Sequence, residues 1–239
     1  MNASAPASVV IPNWNGARFL PTCLDALRRQ SLPGAEVIVV DNASEDESLA
    51  LLQRDYPEVR VIALAENRGF TGGVNAGIRA ASGHVLALLN NDTEATPGWL
   101  EALVRALDEH PDAGAAASKI LVFDRRNRIH SAGDSFRADG LPANRGVWQE
   151  DAGQYDREEY VFGGCGGAVA YRRRMLDEVG LLDESLFMFC EDVDLAWRAQ
   201  LAGWRCIYVP TAVVYHHVSA TGGGATASYY TGRNTIWVL

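Results

Sequence analysis

Three acidic residues crowd one short stretch, Cys190-Glu191-Asp192-Val193-Asp194, directly after the apolar run Leu186-Phe187-Met188-Phe189. Carboxylates at a helix start are favoured by the helix dipole, by about 0.3–1 kcal/mol each. One or two would serve that purpose. A third, packed after apolar residues, points to chemistry: a general base that the dipole keeps ionised, ready to take a proton from a hydroxyl. Helix capping is the alternative for the same residues. A further carboxylate, Asp92, follows an apolar run in Asn90-Asn91-Asp92-Thr93. In such a loop it can reach Mg²⁺ or Mn²⁺. Those ions prefer oxygen ligands and need only one or two from a protein when a diphosphate is present. It can equally be a turn residue. His216-His217 follows a short apolar segment. Adjacent strand residues face opposite sides, so only one of the two histidines could join Asp92 at a metal.

The elements that must position these groups can be read from periodicity. Ser8 to Pro12 is a β-type run, and Leu20, Cys23, Leu24 and Leu27 follow amphipathic-helix spacing. Glu36 to Val40 and Val59 to Leu64 are strands, and Ser44-Glu45-Asp46-Glu47 fits a capping box opening a second helix. Gly72 to Ala81 is a helix, His84 to Leu89 a fourth strand, and Pro97 to His110 a helix with proline at its start. This alternation predicts a parallel sheet with helices on both faces and ligands at the C-terminal strand ends. Those ends carry Pro12-Asn13-Trp14-Asn15-Gly16, Asp41-Asn42-Ala43-Ser44, Asn67-Arg68-Gly69-Phe70-Thr71-Gly72-Gly73-Val74-Asn75 and Asn90-Asn91-Asp92-Thr93. Amides and carboxylates suit the edges of a base and ribose, and glycine lets backbone approach phosphate. Ser44 reads as a cap or as a ligand group; with Ser44 capping, Asp41 is available for base or ribose.

The second half is patterned differently. Arg125 to Glu159 is polar and weakly periodic, which reads as long loops and short strands over a site. Val161 to Tyr171 reads as a Gly-rich strand. Val193, Ala196, Trp197 and Leu201 share one helical face ending at Gly203, and Arg205 to Pro210 and Ala212 to His216 read as two short strands.

The bulk numbers are those of a globular protein of 239 residues, 48% hydrophobic and 21% charged. A net charge of -9 argues against a nucleic-acid partner, which calls for clustered Lys and Arg. Cys23, Cys165, Cys190 and Cys206 have no zinc-ligand spacing and read as free thiols in a reducing compartment. Met1 to Ser8 lacks the character of a signal peptide, and no apolar run reaches the roughly 20 residues that span a bilayer. The reading is a cytoplasmic protein, with an apolar end from Tyr229 to Leu239 that suggests a longer natural tail.

Taken in order, Val9-Val10-Ile11-Pro12-Asn13-Trp14-Asn15-Gly16, Val39-Val40-Asp41-Asn42-Ala43-Ser44, Asn67-Arg68-Gly69-Phe70 with Gly72-Gly73 and Asn75, and Leu88-Leu89-Asn90-Asn91-Asp92-Thr93 resemble the inverting family-2 glycosyltransferases. So do Val179 to Glu184, Phe187 to Leu195, and Gly203-Trp204. The resemblance runs from Val9 to Asn234 and is closest to a rhamnosyltransferase-like bacterial branch. It implies an α/β fold of the GT-A type: a mixed central sheet, a nucleotide-sugar half over about 8–123 and an acceptor half over about 124–239. It further implies that Pro12, Asn13, Asn15, Asp41, Asn42, Asn67, Arg68, Gly72, Asn75 and Asn91 lie at the nucleotide. Asp92 and His216 would serve a divalent metal, with Asn90 standing where the family's first acidic residue is expected. Asp192 would be the catalytic base beside Glu191, and Gly164, Cys165, Gly166 and Gly167 would border donor sugar and acceptor. The implied partners are a nucleotide-sugar donor and a glycan or lipid-linked acceptor, which would bring the protein to the inner membrane face.

Rival classes fare less well. A dinucleotide-dependent oxidoreductase calls for G-x-G-x-x-G after the first strand, where Pro12-Asn13-Trp14-Asn15-Gly16 stands. A pyrophosphorylase calls for a Gly-rich basic loop there. A non-catalytic binding module on the same fold is compatible with Asn90 and is opposed by the intact Glu191-Asp192.

Overall fold

The structure is a computed structural model and describes residues 5–218 and 224–238. Its first half runs β1 (Ala7–Asn13), α1 (Leu20–Arg28), β2 (Glu36–Asp41), α2 (Ser48–Asp55), β3 (Arg60–Ala63), α3 (Gly69–Ala80), β4 (Val85–Leu89), β5 (Thr93–Ala95) and α4 (Trp99–Glu109). The second half comprises β6 (Ala113–Val122), β7 (Arg125–Ala132), β8 (Asp134–Phe136), β9 (Pro142–Asn144), β10 (Glu159–Val161), β11 (Ala168–Arg172), α5 (Arg173–Val179), α6 (Glu191–Leu201), β12 (Arg205–His216) and α7 (Ala225–Val238).

The main sheet is ordered β10-β12-β6-β11-β4-β1-β2-β3. β3, β2, β1 and β4 are parallel neighbours, as the alternation predicts. β11 then enters antiparallel between β4 and β6, which makes the sheet mixed. Both faces are covered, so the strands are apolar throughout. Val9, Ile11 and Val39 pack with Leu24, Trp99 and Leu103 of α1 and α4. Val10, Ile38 and Val40 pack on the other face with Val74, Met175 and Leu195 of α3, α5 and α6. Trp99 is fully buried because its one polar atom is satisfied: Nε1 donates to Ser118 Oγ at 2.9 Å.

Several expectations are corrected. The capping box at Ser44–Glu47 does not form. α2 begins at Ser48, its cap residue Glu47 makes no side-chain cap bond, and Ser44 Oγ instead accepts from Asn15 N at 2.9 Å. α3 starts at Gly69 rather than Gly72. The Gly-rich segment Val161 to Tyr171 is not one strand. It turns between β10 and β11, because four glycines leave few side chains to hold it in a ladder. The central strand β6 was not foreseen: its Ala-rich sequence has low β propensity, yet it is paired on both edges. The stretch from Arg125 to Glu159 holds the expected short strands, and β7 extends to eight residues because it pairs with β6. The two short strands near the end are one, β12, with a register shift between Val209 and Val213 that absorbs Pro210. In α6 the buried face holds Val193, Leu195 and Ala199, and Leu201 is 82% exposed.

Candidate active site

The strand ends of the parallel half converge, and their polar side chains bind one another. Asn13 is the hub. Its Nδ2 donates to Asp41 Oδ2 at 3.0 Å and to Ser44 Oγ at 3.3 Å, and its Oδ1 accepts from Asn91 Nδ2 at 2.7 Å. Asp41 Oδ1 accepts from Ser44 N at 3.0 Å. Gly16 lets this network close: a Cβ there would stand 2.1 Å from Asn91 Nδ2 and 2.3 Å from Asn13 Oδ1. Asn42 holds the next loop, donating to Asn67 Oδ1 and Gly69 O and accepting from Arg68 N. Asn75 donates to Leu182 O at 2.8 Å and Glu184 Oε1 at 3.1 Å, tying α3 to the second half of the chain.

Thus Asn13, Asp41, Asn42, Asn75 and Asn91 are buried and shape the rim through one another. Gly72 is buried as well, with Arg68 Cβ 2.5 Å from where its own Cβ would stand. Asn15, Asn67 and Arg68 are exposed and Pro12 is half-buried. Arg68 pairs with Glu184 at 2.6 Å. Trp14, 47% exposed between Asn13 and Asn15, adds a large aromatic face to this rim.

Asp92 and His216 come together although 124 positions separate them in the chain. β5 pairs antiparallel with β12, placing Thr93 opposite His216, and His217 N donates to Asp92 O at 3.0 Å. Asp92 Oδ1 lies 3.1 Å from His216 Nε2, and both side chains are buried. That oxygen nonetheless has no hydrogen-bond partner among the described residues. The contact is close without being a hydrogen bond, which leaves that oxygen open to another partner. The residues therefore fit a divalent cation, with further ligands to come from a bound diphosphate. His217 faces away, as strand geometry requires, and stacks on Phe123 with ring centroids 3.7 Å apart. An open cleft of about 290 Å³ lies there, lined by Arg18, Phe19, Val122, Asp124, His217 and Val218. Sequence reasoning missed His130: its Nδ1 lies 3.1 Å from His216 Nδ1. A lone histidine in a polar stretch gave no sign of the pairing.

The acidic pair sits across the glycine loop. Asp192 Oδ2 accepts from Gly166 N at 2.9 Å, and Oδ1 from Val193 N at 2.8 Å. Glu191 is 6% exposed, and its Oε2 is buried without a hydrogen-bond partner among the described residues. Burial, with Asp192 and Asp134 nearby, pushes the Glu191 carboxyl up to about 8. Burial also raises Asp192, opposed by its backbone N–H donors. Desolvation thus works against the helix dipole at both carboxyls. The backbone N–H bonds favour charge on Asp192, and burial favours the proton on Glu191. Asp134, a third buried carboxyl raised by burial and by Asp192, was also missed.

The Gly164–Gly167 loop spans the two clusters. A Cβ on Gly166 would stand 3.0 Å from Glu191 Oε1 and 3.5 Å from Asp192 Oδ2. A Cβ on Gly167 would stand 3.5 Å from Asn90 Nδ2 and 3.7 Å from His216 Cε1. With Cα atoms of neighbours 3.8 Å apart, the carboxylates and the Asp92–His216 pair lie within about 14 Å of each other. Gly164 is buried, and Cys165 is a half-buried free thiol, as are the buried thiols of Cys23, Cys190 and Cys206.

Comparison with known proteins agrees with this geometry. The family model described as Glycosyl transferase family 2 matches residues 8–180. An N-acetylglucosaminyl-diphospho-decaprenol L-rhamnosyltransferase of Mycobacterium tuberculosis is 30% identical, over 92% of this chain and 79% of that protein. An uncharacterized protein of Sinorhizobium fredii is 29% identical over 93% of this chain, which spans only 26% of its length. Among solved structures, GalNAc-T7 with UDP, GalNAc and Mn²⁺ superposes with a TM-score of 0.77 at 20% identity. That match covers all of this chain and 48% of GalNAc-T7. The fold is that of the GT-A glycosyltransferases, and the chain belongs to glycosyl transferase family 2.

Proposed function

We propose that this protein is a metal-dependent inverting glycosyltransferase. It moves a sugar from a nucleotide-diphosphate donor to a hydroxyl of a glycan or lipid-linked acceptor. The observation that carries the reading is the orphaned Asp92 Oδ1 facing His216 Nε2, one glycine away from the Glu191–Asp192 pair. The rim from Pro12 to Asn91 shapes the nucleotide pocket: Asn15, Asn67 and Arg68 face the ligand, and the buried amides and Asp41 hold them in place. Asp92 and His216 hold Mg²⁺ or Mn²⁺. When bound, such an ion neutralises charge developing on the departing diphosphate. Asp192 takes the proton of the acceptor hydroxyl, and that oxygen attacks the anomeric carbon from the face opposite the diphosphate, inverting configuration. Glu191, carrying the pair's proton, leaves Asp192 as the ionised base. The Gly164–Gly167 backbone borders the sugar. The name of the Mycobacterium relative supports rhamnose and a lipid-linked acceptor; dTDP as the carrier is our proposal. Such an acceptor would bring a cytoplasmic protein to the inner membrane face. No described helix is long and apolar enough to cross a membrane.

Isothermal titration of UDP, dTDP and GDP, each with Mn²⁺ and with EDTA, tests the donor site. The expected result is micromolar binding of one nucleotide, lost with EDTA and in Asp92→Ala. Binding of none of the three would overturn the donor assignment. Binding without donor turnover would favour a non-catalytic module.

A further inference from the structure

The loop that delivers the acidic pair is strained and is held from outside. Phe187, Phe189 and Cys190 all have left-handed backbone, with φ of 67°, 66° and 63°. None is glycine, and each such residue costs of order 1–3 kcal/mol unless its surroundings hold it. Cys190 is the residue from which α6 begins, so the direction in which Glu191 and Asp192 leave the loop depends on that conformation.

What holds the loop comes from α7, at the far end of the chain. Asn234 is fully buried, and its Nδ2 donates to Leu186 O at 3.0 Å, Met188 O at 2.8 Å and Phe189 O at 2.7 Å. Its neighbour Arg233 donates to Ser185 O at 3.0 Å and Leu186 O at 2.8 Å. Tyr230 stacks on Phe187 with centroids 5.3 Å apart, and Thr235 Oγ1 contacts Cys190 Sγ at 3.9 Å. A left-handed turn aims successive carbonyls inward, where they need donors. The two N–H groups of the Asn234 amide are shared among three of them.

We infer that Asn234 is a positioning residue: it clamps the Leu186–Cys190 loop and thereby sets the aim of Glu191 and Asp192. α7 lies outside the residues that the family model matches. The inference rests on the proposed role of Asp192 for its consequence on rate, but the clamp itself can be read without substrate. The opposite side of the loop agrees with a fixed part: Phe187 O accepts from Thr71 N at 3.2 Å, so α3 and α7 grip the same residue.

The test compares wild type, Asn234→Ala and Arg233→Ala by hydrogen exchange and by the ¹³C titration of the Glu191 carboxyl. Titratable groups that interact with that carboxyl are Asp192 on its own helix, Asp134 on β8, Cys165 in the glycine loop, Tyr171 on β11 and Cys190 at the start of α6. In Asn234→Ala, amides of residues 187–194 should exchange at least about tenfold faster with the rest of the chain unchanged. The Glu191 midpoint should fall from about 8 toward the ordinary carboxylate range as water enters. Arg233→Ala, which leaves the Phe189 bond intact, should change both in the same direction by less; it decides the matter if Asn234→Ala does not fold. Hydrolysis of dTDP-rhamnose, UDP-glucose and GDP-mannose then adds the rate. For whichever donor turns over, kcat should fall about 10- to 100-fold with donor KM within about twofold. Unchanged local exchange and titration, or faster exchange spread over the whole chain, would overturn the clamp. A wild type that hydrolyses no donor would count against the proposed function, while exchange and titration would still decide the clamp.

Discussion

Asp92 Oδ1 stands 3.1 Å from His216 Nε2, yet the two make no hydrogen bond. On the other side of the imidazole His216 Nδ1 meets His130 Nδ1 at 3.1 Å. One of those nitrogens must donate and the other accept. Burial, with His216 beside it, pushes His130 down to about 4, so His130 is neutral and able to accept. In the tautomer that places the His216 proton on Nδ1, donating to His130, a bare Nε2 faces Asp92. A lone pair facing a carboxylate is unfavourable until a cation joins them.

This arrangement predicts that His130 sets metal affinity without touching the metal. His130→Phe should weaken Mn²⁺ binding about 10- to 100-fold, followed by Mn²⁺ EPR in the presence of dTDP. His130→Gln, whose amide oxygen can accept from Nδ1, should retain most of it. Equal affinity in wild type and the Phe variant would remove His130 from the site.

The two carboxylates of the pair should separate in mutants. Asp192→Asn removes the proposed base, and a positioned base contributes about 10²- to 10⁴-fold, so kcat should drop by that order with nucleotide affinity unchanged. Glu191→Gln mimics the protonated acid already present below about pH 8, and its kcat at pH 7 should stay within about threefold of wild type. Comparable losses in both would mean that the pair does not divide its roles in this way.

How much of this was legible in the sequence depends on whether the information is local. Leu20, Cys23, Leu24 and Leu27 lie on one face of α1, all buried, because helical spacing leaves them no other arrangement. The polar strand ends were legible for the same reason: they follow apolar runs at once. Asp92 and His216 could be named singly, but their meeting depends on β5 pairing with β12 across half of the chain. β6 escaped notice because alanines carry no pattern, and its strand character comes from the neighbours it joins. Ser44 was misassigned because Asn13 and Asn15, from another loop, compete for its hydroxyl and win. His130, Asp134 and Asn234 are isolated polar residues in their own segments. Only tertiary contacts give them a role.

Stability should fall as the solution becomes alkaline, and Glu191 should account for part of it. Its folded value, about 8, lies above the ordinary carboxylate value of 4.5. Between those limits the native state holds a proton that the unfolded chain releases. The stabilisation is therefore complete below about pH 4.5 and is lost as pH rises through 8. Each kcal/mol lost should lower Tm by about 2–4 °C for a chain of this size. Asp192 and Asp134, also raised by burial, act in the same direction. Calorimetry from pH 5 to 8.5 should show a steeper decline in wild type than in Glu191→Gln. Parallel curves would mean that Glu191 is ionised in the folded protein at neutral pH.

Gly166 offers a steric test of where the acceptor approaches. Its N–H donates to Asp192 Oδ2, and an added Cβ would stand 3.0 Å from Glu191 Oε1. That contact is tighter than a carboxylate yields without shifting. The methyl group would also occupy space beside Asp192 that an incoming hydroxyl must cross. Gly166→Ala should therefore lower kcat by more than about tenfold, since displacements of an ångström at a reacting centre cost up to about 10²-fold. Nucleotide affinity should change by less than about twofold, because the rim at Asn13 and Asp92 lies on the other side of the loop. Gly98→Ala is the matched control: a Cβ there meets nothing within 4 Å, and the residue sits outside the site at the start of α4. Full activity in Gly166→Ala would place the acceptor elsewhere. Loss of nucleotide binding together with kcat would mean that the loop holds the donor instead, with the acceptor reaching Asp192 from the Phe136, Phe162 and Trp197 side, whose rings already pack together next to α6.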